Sequence, residues 1–170
     1  AMPRVCFERL YGLDDDMLPW RTIARTWLSP TSSCPLGITQ RGLFHTDLQR
    51  SGPHAMVAGT TGSGKSELLI SWCLSLAMQH SPDDLHFVFL DFKGGSTFNA
   101  LEQLPHTVGN VCDLDLSHAV RALNDIEQEL IRRDPWVSAE RVSRFDQLAH
   151  PPPRLVVVID DFPALRDRLP

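Results

Sequence analysis

Residues 57–69 read VAGTTGSGKSELL, a glycine-rich run followed by a lysine, a serine and apolar residues. Its glycines at 59 and 64, followed by Lys65 and Ser66, match the pattern G-x-x-x-x-G-K-[ST] of a phosphate-binding loop. Glycines let backbone N–H groups approach a polyphosphate closely, and the lysine adds a positive charge beside the β- and γ-phosphates. The hydroxyl of Ser66 is of the kind that ligates Mg²⁺ in such loops.

The sequence on either side of the loop predicts a strand before it and a helix after it. Residues 54–58 are a short, mostly apolar run that we predict to be a buried strand, and residues 64–80 have the apolar spacing of a helix. The positive end of that helix dipole favours bound anions. The residues that we expect to contact the nucleotide are Gly59, Thr60, Thr61, Gly62, Ser63, Gly64, Lys65, Ser66 and Glu67.

A second stretch, LVVVI at residues 155–159, predicts a strand covered on both faces that ends in two acids, Asp160 and Asp161. A nucleotide site of this class needs an acid that holds Mg²⁺, and often a second acid that orients the attacking water. We assign the Mg²⁺ role to Asp160, directly or through water, together with Ser66. Asp161 has the position of the second acid. The alternative for both is a solvated turn after a strand.

Other segments complete the secondary structure. Residues 86–92, HFVFLDF, predict a third strand, and strands alternating with helices indicate a parallel α/β sheet. Residues 117–134 predict an amphipathic helix that Ser117 caps and Pro135 ends. Residues 36–38 and 42–44 predict the two strands of a hairpin, and residues 103–116 predict a loop region with a short apolar piece.

Composition indicates one globular domain of 170 residues, with 42% hydrophobic and 22% charged residues. No apolar run approaches the roughly 18 residues of a membrane-spanning helix. The net charge of −5 argues against a wide DNA-gripping face, which is usually basic. The four cysteines have no C-x-x-C spacing, so neither a zinc site nor a redox pair is predicted, and Cys73 is predicted to be a small core residue.

The chain resembles the ATPase domains of the FtsK/SpoIIIE family, and more narrowly the ATPase modules of EccC and EssC in type VII protein secretion. The resemblance rests on residues 59–69, on DFKGG at 91–95, on LPH at 104–106 and on the strand that ends in Asp160. DNA-pumping FtsK proteins usually have a DPK-type sequence in place of DFKGG, which favours secretion.

The resemblance implies a RecA-like P-loop NTPase fold, with a mostly parallel sheet flanked by helices. It implies that residues 1–50 form a prefix packing on the core and that residues 51–170 form a partial ATPase core. The family's core continues beyond the strand that ends in Asp160, which is its Walker B strand, into a strand with a polar sensor residue. We therefore expect this sequence to be truncated after the Walker B strand, or the missing strand to be supplied in another way.

The resemblance also implies a function. ATP and Mg²⁺ would be the cofactors, and hydrolysis would drive export of a secreted polypeptide. The partners would be other ATPase modules or subunits of a ring-like motor, at the cytoplasmic side of the cell membrane, with any anchor outside this chain. Two alternatives remain open, namely a DNA translocase of the FtsK type and a non-hydrolysing ATP-binding module for regulation or substrate recognition.

Two residues bear on hydrolysis. The family usually has Asp-Glu after the Walker B strand, and the shorter Asp161 in place of glutamate leaves open whether hydrolysis is fast. In the family an arginine early in the 117–134 helix reaches a neighbouring subunit's nucleotide as an arginine finger, and Arg121 has the matching position. The alternative is a solvated arginine on a polar helix face. Our candidate catalytic residues are Lys65, Asp160, Asp161 and Arg121.

Overall fold

The structure is a computed structural model of the chain, and it describes residues 6–13, 17–31, 33–92, 97–111 and 116–166. The chain divides into two compact units, Ala1–Ser81 and Pro82–Pro170, which we call the first and the second unit. No helix among the described residues is long and apolar enough to cross a membrane.

The described part of the first unit consists of a hairpin and three helices. The helices are α1 (Phe7–Leu10), α2 (Pro19–Trp27) and α3 (Lys65–Gln79), and the strands are β1 (Ser33–Thr39) and β2 (Gly42–Asp47). The two strands pair antiparallel, which confirms the predicted hairpin and extends it at both ends. The sequence does not predict helices α1 and α2, because with four and nine residues they are shorter than the window in which a helical period can be recognised.

Helix α3 confirms the predicted helix to within one residue at each end. Its C-terminal half is buried, and side-chain hydrogen bonds attach it to the rest of the first unit. The Ser75 hydroxyl donates to the Pro35 carbonyl at 2.6 Å, and the Trp27 indole donates to the Ala77 carbonyl at 3.0 Å. The Tyr11 hydroxyl donates to the Ser75 carbonyl at 3.3 Å. The hairpin and both N-terminal helices thus hold the end of α3 that lies away from the glycine loop.

The segment before the glycine loop is not the buried strand that we predict from its sequence. Residues 54–58 pair with no strand in the described part of the chain, and Met56 is 90% exposed. A strand forms only where its backbone N–H and C=O groups find partners on a neighbouring strand. An apolar run predicts burial, but it does not supply that neighbour, and the prediction is wrong for this reason.

The second unit is built on a parallel sheet. Its strands are β3 (Leu85–Asp91), β4 (Thr107–Val111) and β5 (Arg154–Asp160), in the spatial order β4-β3-β5 with both pairs parallel. Its helices are α4 (Leu116–Glu140) and α5 (Phe162–Arg166), with 3₁₀ turns at Asn99–Leu101 and Phe145–Gln147. The predicted parallel α/β sheet and two of its strands are confirmed. Strand β4 lies where the sequence predicts a loop region. The sequence does not indicate this strand because Gly109 and Asn110 are poor strand formers.

The core of the second unit lies around β3. Phe87, Phe89 and Phe98 are fully buried and stack in a row, with ring centroids 5.5 and 4.8 Å apart. A second cluster joins Leu90, Phe92, Ala119 and Leu165, so α4 and α5 share one core with the strand. Of the residues of β5, only Val158 and Asp160 are buried, so this strand is covered less completely than its sequence predicts.

Helix α4 is longer than its sequence predicts. It runs from Leu116 to Glu140, so Ser117 is its second residue rather than its cap, and Pro135 lies inside it. A proline removes one helical N–H, which leaves the carbonyl of Ile131 without its usual partner. Both residues are exposed, so water can satisfy that carbonyl. The prediction that Pro135 ends the helix is therefore wrong, because an exposed helix face tolerates the lost bond.

Candidate functional site

The glycine loop in the first unit has a backbone that depends on its glycines. The Ser63 amide donates to the Thr60 carbonyl at 3.2 Å and closes a turn. Gly62 and Gly64 have φ values of 77° and 88°, in the left-handed region that favours glycine. At Gly59 a Cβ atom would lie 2.6 Å from the Ser63 hydroxyl oxygen, so any side chain there would displace Ser63.

Lys65 lies back across this loop. Its Nζ donates to the Thr60 carbonyl at 2.8 Å, which places the ammonium group beside the loop's backbone. Helix α3 begins at Lys65, and Gly64 before it provides no side-chain cap. The first backbone N–H groups of a helix have no partner within the helix. A cation and an uncapped helix start therefore lie together, which is the combination that attracts phosphate.

The residues that we expect to contact nucleotide form one continuous, accessible surface. Gly59–Gly64 and Glu67 are exposed, while Lys65 and Ser66 are half-buried. A ligand can reach the backbone along the whole loop, because few side chains cover it. The structure brings these nine residues into a single loop and helix start, as their spacing predicts, but their contacts with nucleotide remain a prediction.

The two acids of the second site stretch lie at the carboxyl end of β5. Asp160 is the last residue of the strand and is 5% exposed. Asp91, the last residue of the neighbouring strand β3, pairs with Asp160 in register and is 1% exposed. Parallel strands present their carboxyl ends at one edge of the sheet, so both buried carboxylates occur at that edge.

Thr97 connects these two acids. Its amide donates to Asp91 Oδ2 and its hydroxyl donates to Asp160 Oδ2, both at 3.1 Å. The Asp161 amide donates to Asp160 Oδ1 at 3.0 Å, so each oxygen of the Asp160 carboxylate accepts a hydrogen bond. Sequence reasoning missed Thr97 and the Asp91 carboxylate. The available signal was that two neighbouring parallel strands both end in aspartate.

Asp161 has an unusual backbone conformation. Its φ is 61°, in the left-handed region, and its carbonyl accepts the Ala164 amide at 2.9 Å at the start of α5. Aspartate and asparagine enter this region more readily than other residues with a side chain. The backbone thus provides a local reason for aspartate where the related ATPases usually have glutamate.

The arginines of α4 fall into two groups. Arg132 and Arg133 both pair with Glu129, at 2.7 and 2.6 Å, and Arg133 also donates to the Pro153 carbonyl at 2.7 Å. The hydrogen bonds from Arg132 and then Arg133 lower the pKa of Glu129 to about 2. Arg121 is exposed and makes no ion pair with the residues that the structure describes. Its position is compatible with both the finger and the solvated alternative.

Part of the DFKGG stretch lies outside the description. Residues 93–96, which include Lys93 and both glycines of that stretch, are among the residues that the structure does not describe, as are residues 112–115. Of this stretch the structure describes Asp91 and Phe92, and it resumes at Thr97, two residues beyond the stretch. Phe92 belongs to the core cluster, and Asp91 and Thr97 contact each other beside Asp160.

A profile of the FtsK/SpoIIIE family matches residues 24–165, which is most of the chain. The chain belongs to the FtsK/SpoIIIE family. The type VII secretion system protein EssC of Staphylococcus aureus (strain NCTC 8325 / PS 47) is 36% identical over 82% of this chain and 10% of its own length. The ESX secretion system protein EccC of Geobacillus thermodenitrificans (strain NG80-2) is 32% identical over 87% of the chain and 11% of its own length.

A solved structure agrees with this FtsK/SpoIIIE assignment. The cytoplasmic domain of the Thermomonospora curvata type VII secretion ATPase EccC superposes with a TM-score of 0.79 at 30% identity, covering 98% of this chain and 22% of that one. The resemblance to EccC and EssC and the α/β fold class are thereby confirmed. The chain spans about a tenth of the length of the curated relatives, with 10% and 11% covered. Membership in a P-loop ATPase family implies nucleotide binding.

Proposed function

We propose that this chain is an ATP-binding module of an FtsK/SpoIIIE-type translocase motor that couples ATP hydrolysis to protein export in type VII secretion. The observation that carries the proposal is the open loop in which Lys65 Nζ contacts the Thr60 carbonyl beside an uncapped helix start. EssC and EccC as relatives favour secretion, and the net charge of −5 agrees with a motor that does not grip DNA over a wide face.

The loop and the start of α3 would bind the phosphates. Backbone N–H groups of the loop and of the first helical turn would donate to phosphate oxygens. Lys65 would exchange the Thr60 carbonyl for the β- and γ-phosphates. That exchange is favourable, because a hydrogen bond between two charged groups is stronger than one to a neutral carbonyl.

Ser66 and Asp160 would hold Mg²⁺. This ion usually takes one or two protein oxygens, with phosphates and water completing its coordination. The residues present fit that demand, since Asp160 offers a carboxylate and Ser66 a hydroxyl, the oxygen donors that this ion prefers. The described residues include no cluster of three or more His, Cys, Asp or Glu side chains, and a nucleotide-bound Mg²⁺ needs none. When bound, the ion neutralises charge on the β- and γ-phosphates.

The remaining roles concern hydrolysis and assembly. Asp161 would orient the attacking water, and Arg121 would reach the nucleotide of a neighbouring module or subunit of a ring-like motor. The transported polymer would be a secreted polypeptide, at the cytoplasmic side of the membrane. Sequence identity with EssC over 82% of this chain supports these roles, while the rest of the motor lies outside it.

The test is Lys65→Ala in the full-length protein, with ATP affinity measured by isothermal titration in the presence of Mg²⁺. Loss of one charge-assisted hydrogen bond, at about 1.5–3 kcal/mol, should weaken binding about 10- to 100-fold. Arg41→Ala is the matched control, because Arg41 is an exposed cation in the β1–β2 turn of the same unit. Unchanged ATP affinity in Lys65→Ala would show that the loop is not the nucleotide site.

The same preparation distinguishes the DNA alternative. We expect the wild-type protein to show no salt-sensitive affinity for duplex DNA. A DNA motor would instead release counterions from the phosphate backbone on binding, and its affinity would drop as salt rises. Salt-sensitive duplex binding at micromolar affinity would contradict the secretion assignment while leaving ATP binding intact.

A further inference from the structure

The contacts of Thr97 suggest how the Asp160 carboxylate is oriented. Asp160 ends strand β5, and the rotation of an aspartate carboxyl group about its last bond is only weakly restricted by the side chain itself. Hydrogen bonds to its oxygens therefore determine the plane of the carboxylate. One such bond comes from the Asp161 amide, next to Asp160 in the chain, and another comes from the Thr97 hydroxyl, 63 residues away.

Thr97 is itself held in place. Its amide donates to Asp91 Oδ2, and Asp91 is buried at the end of β3 directly beside Asp160. The next residue, Phe98, is fully buried and stacks on Phe89 of the same strand at 4.8 Å. The Thr97 backbone is thus fixed by the buried Asp91 carboxylate, and the next residue is fixed in the aromatic core.

We propose that Thr97 is a positioning residue for Mg²⁺, which sets the plane of the Asp160 carboxylate through its hydroxyl and is anchored through its amide on Asp91. This inference rests on the proposed function, since it presupposes that Asp160 holds Mg²⁺. Partners that orient a ligating carboxylate typically contribute 10- to 100-fold to metal affinity. Thr97 would in this way couple the end of β3 to the metal site at the end of β5.

A purely structural role makes a different prediction. If Thr97 only secured the segment after β3, losing its hydroxyl would change the stability of the second unit and leave Mg²⁺ affinity unchanged. Thr97→Val separates the two roles, because valine has nearly the shape of threonine, keeps the backbone amide and lacks only the hydroxyl. Thr97→Ser is the complementary variant, since it keeps the hydroxyl.

The experiment measures the affinity of the full-length protein for ADP as a function of Mg²⁺ concentration, by isothermal titration, together with ADP affinity in EDTA. We expect Thr97→Val to raise the half-saturating Mg²⁺ concentration about 10-fold, the lower end of the usual range for such partners. ADP affinity in EDTA should not change, and Thr97→Ser should behave as the wild type does. Thr97→Ala takes the place of Thr97→Val should that variant not fold.

Thr107→Val is the matched control. The Thr107 hydroxyl donates to the Leu101 carbonyl at 2.7 Å in the same unit, so its loss tests the effect of removing a half-buried hydroxyl contact that does not involve Asp160. We expect a lower unfolding temperature for this variant and an unchanged Mg²⁺ dependence.

Three outcomes would overturn the inference. They are a wild-type Mg²⁺ dependence in Thr97→Val, an equal shift in Thr107→Val, and a Thr97→Ser variant that is as impaired as Thr97→Val. A failure of the proposed function would look different, because the wild-type protein would then show no Mg²⁺-dependent nucleotide binding at all.

Discussion

Asp91 and Asp160 end two adjacent parallel strands at the same register, and both carboxylates are buried. Two buried acids at one sheet edge are costly unless their oxygens are hydrogen-bonded. Thr97 meets that demand for both, with its amide on Asp91 and its hydroxyl on Asp160. The contact links the DFKGG stretch, which begins at Asp91, to the Walker B acid on the neighbouring strand.

The length of the Asp161 side chain should limit ATP turnover. A carboxylate withdrawn by about 1 Å can lose roughly 100-fold in rate, because phosphoryl transfer depends on positioning. We therefore expect Asp161→Glu to raise turnover by at least about tenfold in the full-length protein, with ATP affinity nearly unchanged. The φ of 61° should make this variant slightly less stable, since glutamate suits the left-handed region less well than aspartate. Steady-state hydrolysis at saturating ATP is the measurement.

Two further variants control for this change in Asp161. Asp161→Asn keeps the size and the backbone preference but removes the carboxylate, so turnover should fall without a loss of stability. Arg121→Ala in the Asp161→Glu background should erase the gain if Arg121 acts as a finger on a neighbouring nucleotide. An unchanged rate in Asp161→Glu would refute the idea that side-chain length is what limits turnover.

The ion pairs of Glu129 with Arg132 and Arg133 on α4 should contribute stability that depends on pH. Hydrogen bonds from Arg132 and Arg133 lower the pKa of Glu129 from its usual 4.5 to about 2. A lowered pKa in the folded state contributes stability above pH 4.5, and that contribution is lost as the pH falls from there toward 2. We expect Glu129→Gln to cost about 1 kcal/mol at neutral pH, since the pair is partly solvent-screened.

The measurement for Glu129 is urea unfolding of wild type and variant from pH 7 to pH 3. The difference between the two should shrink below pH 4.5, where Glu129 of the unfolded chain becomes protonated. Asp146→Asn is the control, because the Arg144–Asp146 pair is more exposed and should contribute less. A difference that stays constant down to pH 3 would argue that the charge of Glu129 is irrelevant to stability.

The cysteines should differ widely in reactivity. Cys6 is exposed, whereas Cys34 and Cys73 are buried free thiols. Burial raises the pKa of the Cys73 thiol to about 12 and also raises that of Cys34. Because the thiolate is the reactive species, iodoacetamide at pH 8 should label Cys6 in the folded protein and label the other two only in denaturant. Site-resolved mass spectrometry measures this, and labelling of Cys73 at the rate of Cys6 would contradict the buried position of α3.

Local patterns predicted much of this molecule because their physical causes are local. The glycine loop and helix α3 follow from residues close together in the chain, and strands β3 and β5 follow from short β-branched or aromatic runs. Helix α4 was found by its periodicity, but its end was misplaced at Pro135. That error arose because the cost of an interior proline depends on whether water reaches the carbonyl that it leaves unpaired.

The sequence alone determined the phosphate-loop pattern, the alternation of strands and helices and the family. The three-dimensional structure was needed to show that residues 54–58 have no strand partner among the described residues and that β4 pairs with β3. It also decided that Thr97 joins Asp91 and Asp160, residues that are 69 apart in the chain. Strand pairing and side-chain contacts across a sheet depend on which distant segments become neighbours, and a periodicity within one segment contains no information about its neighbour.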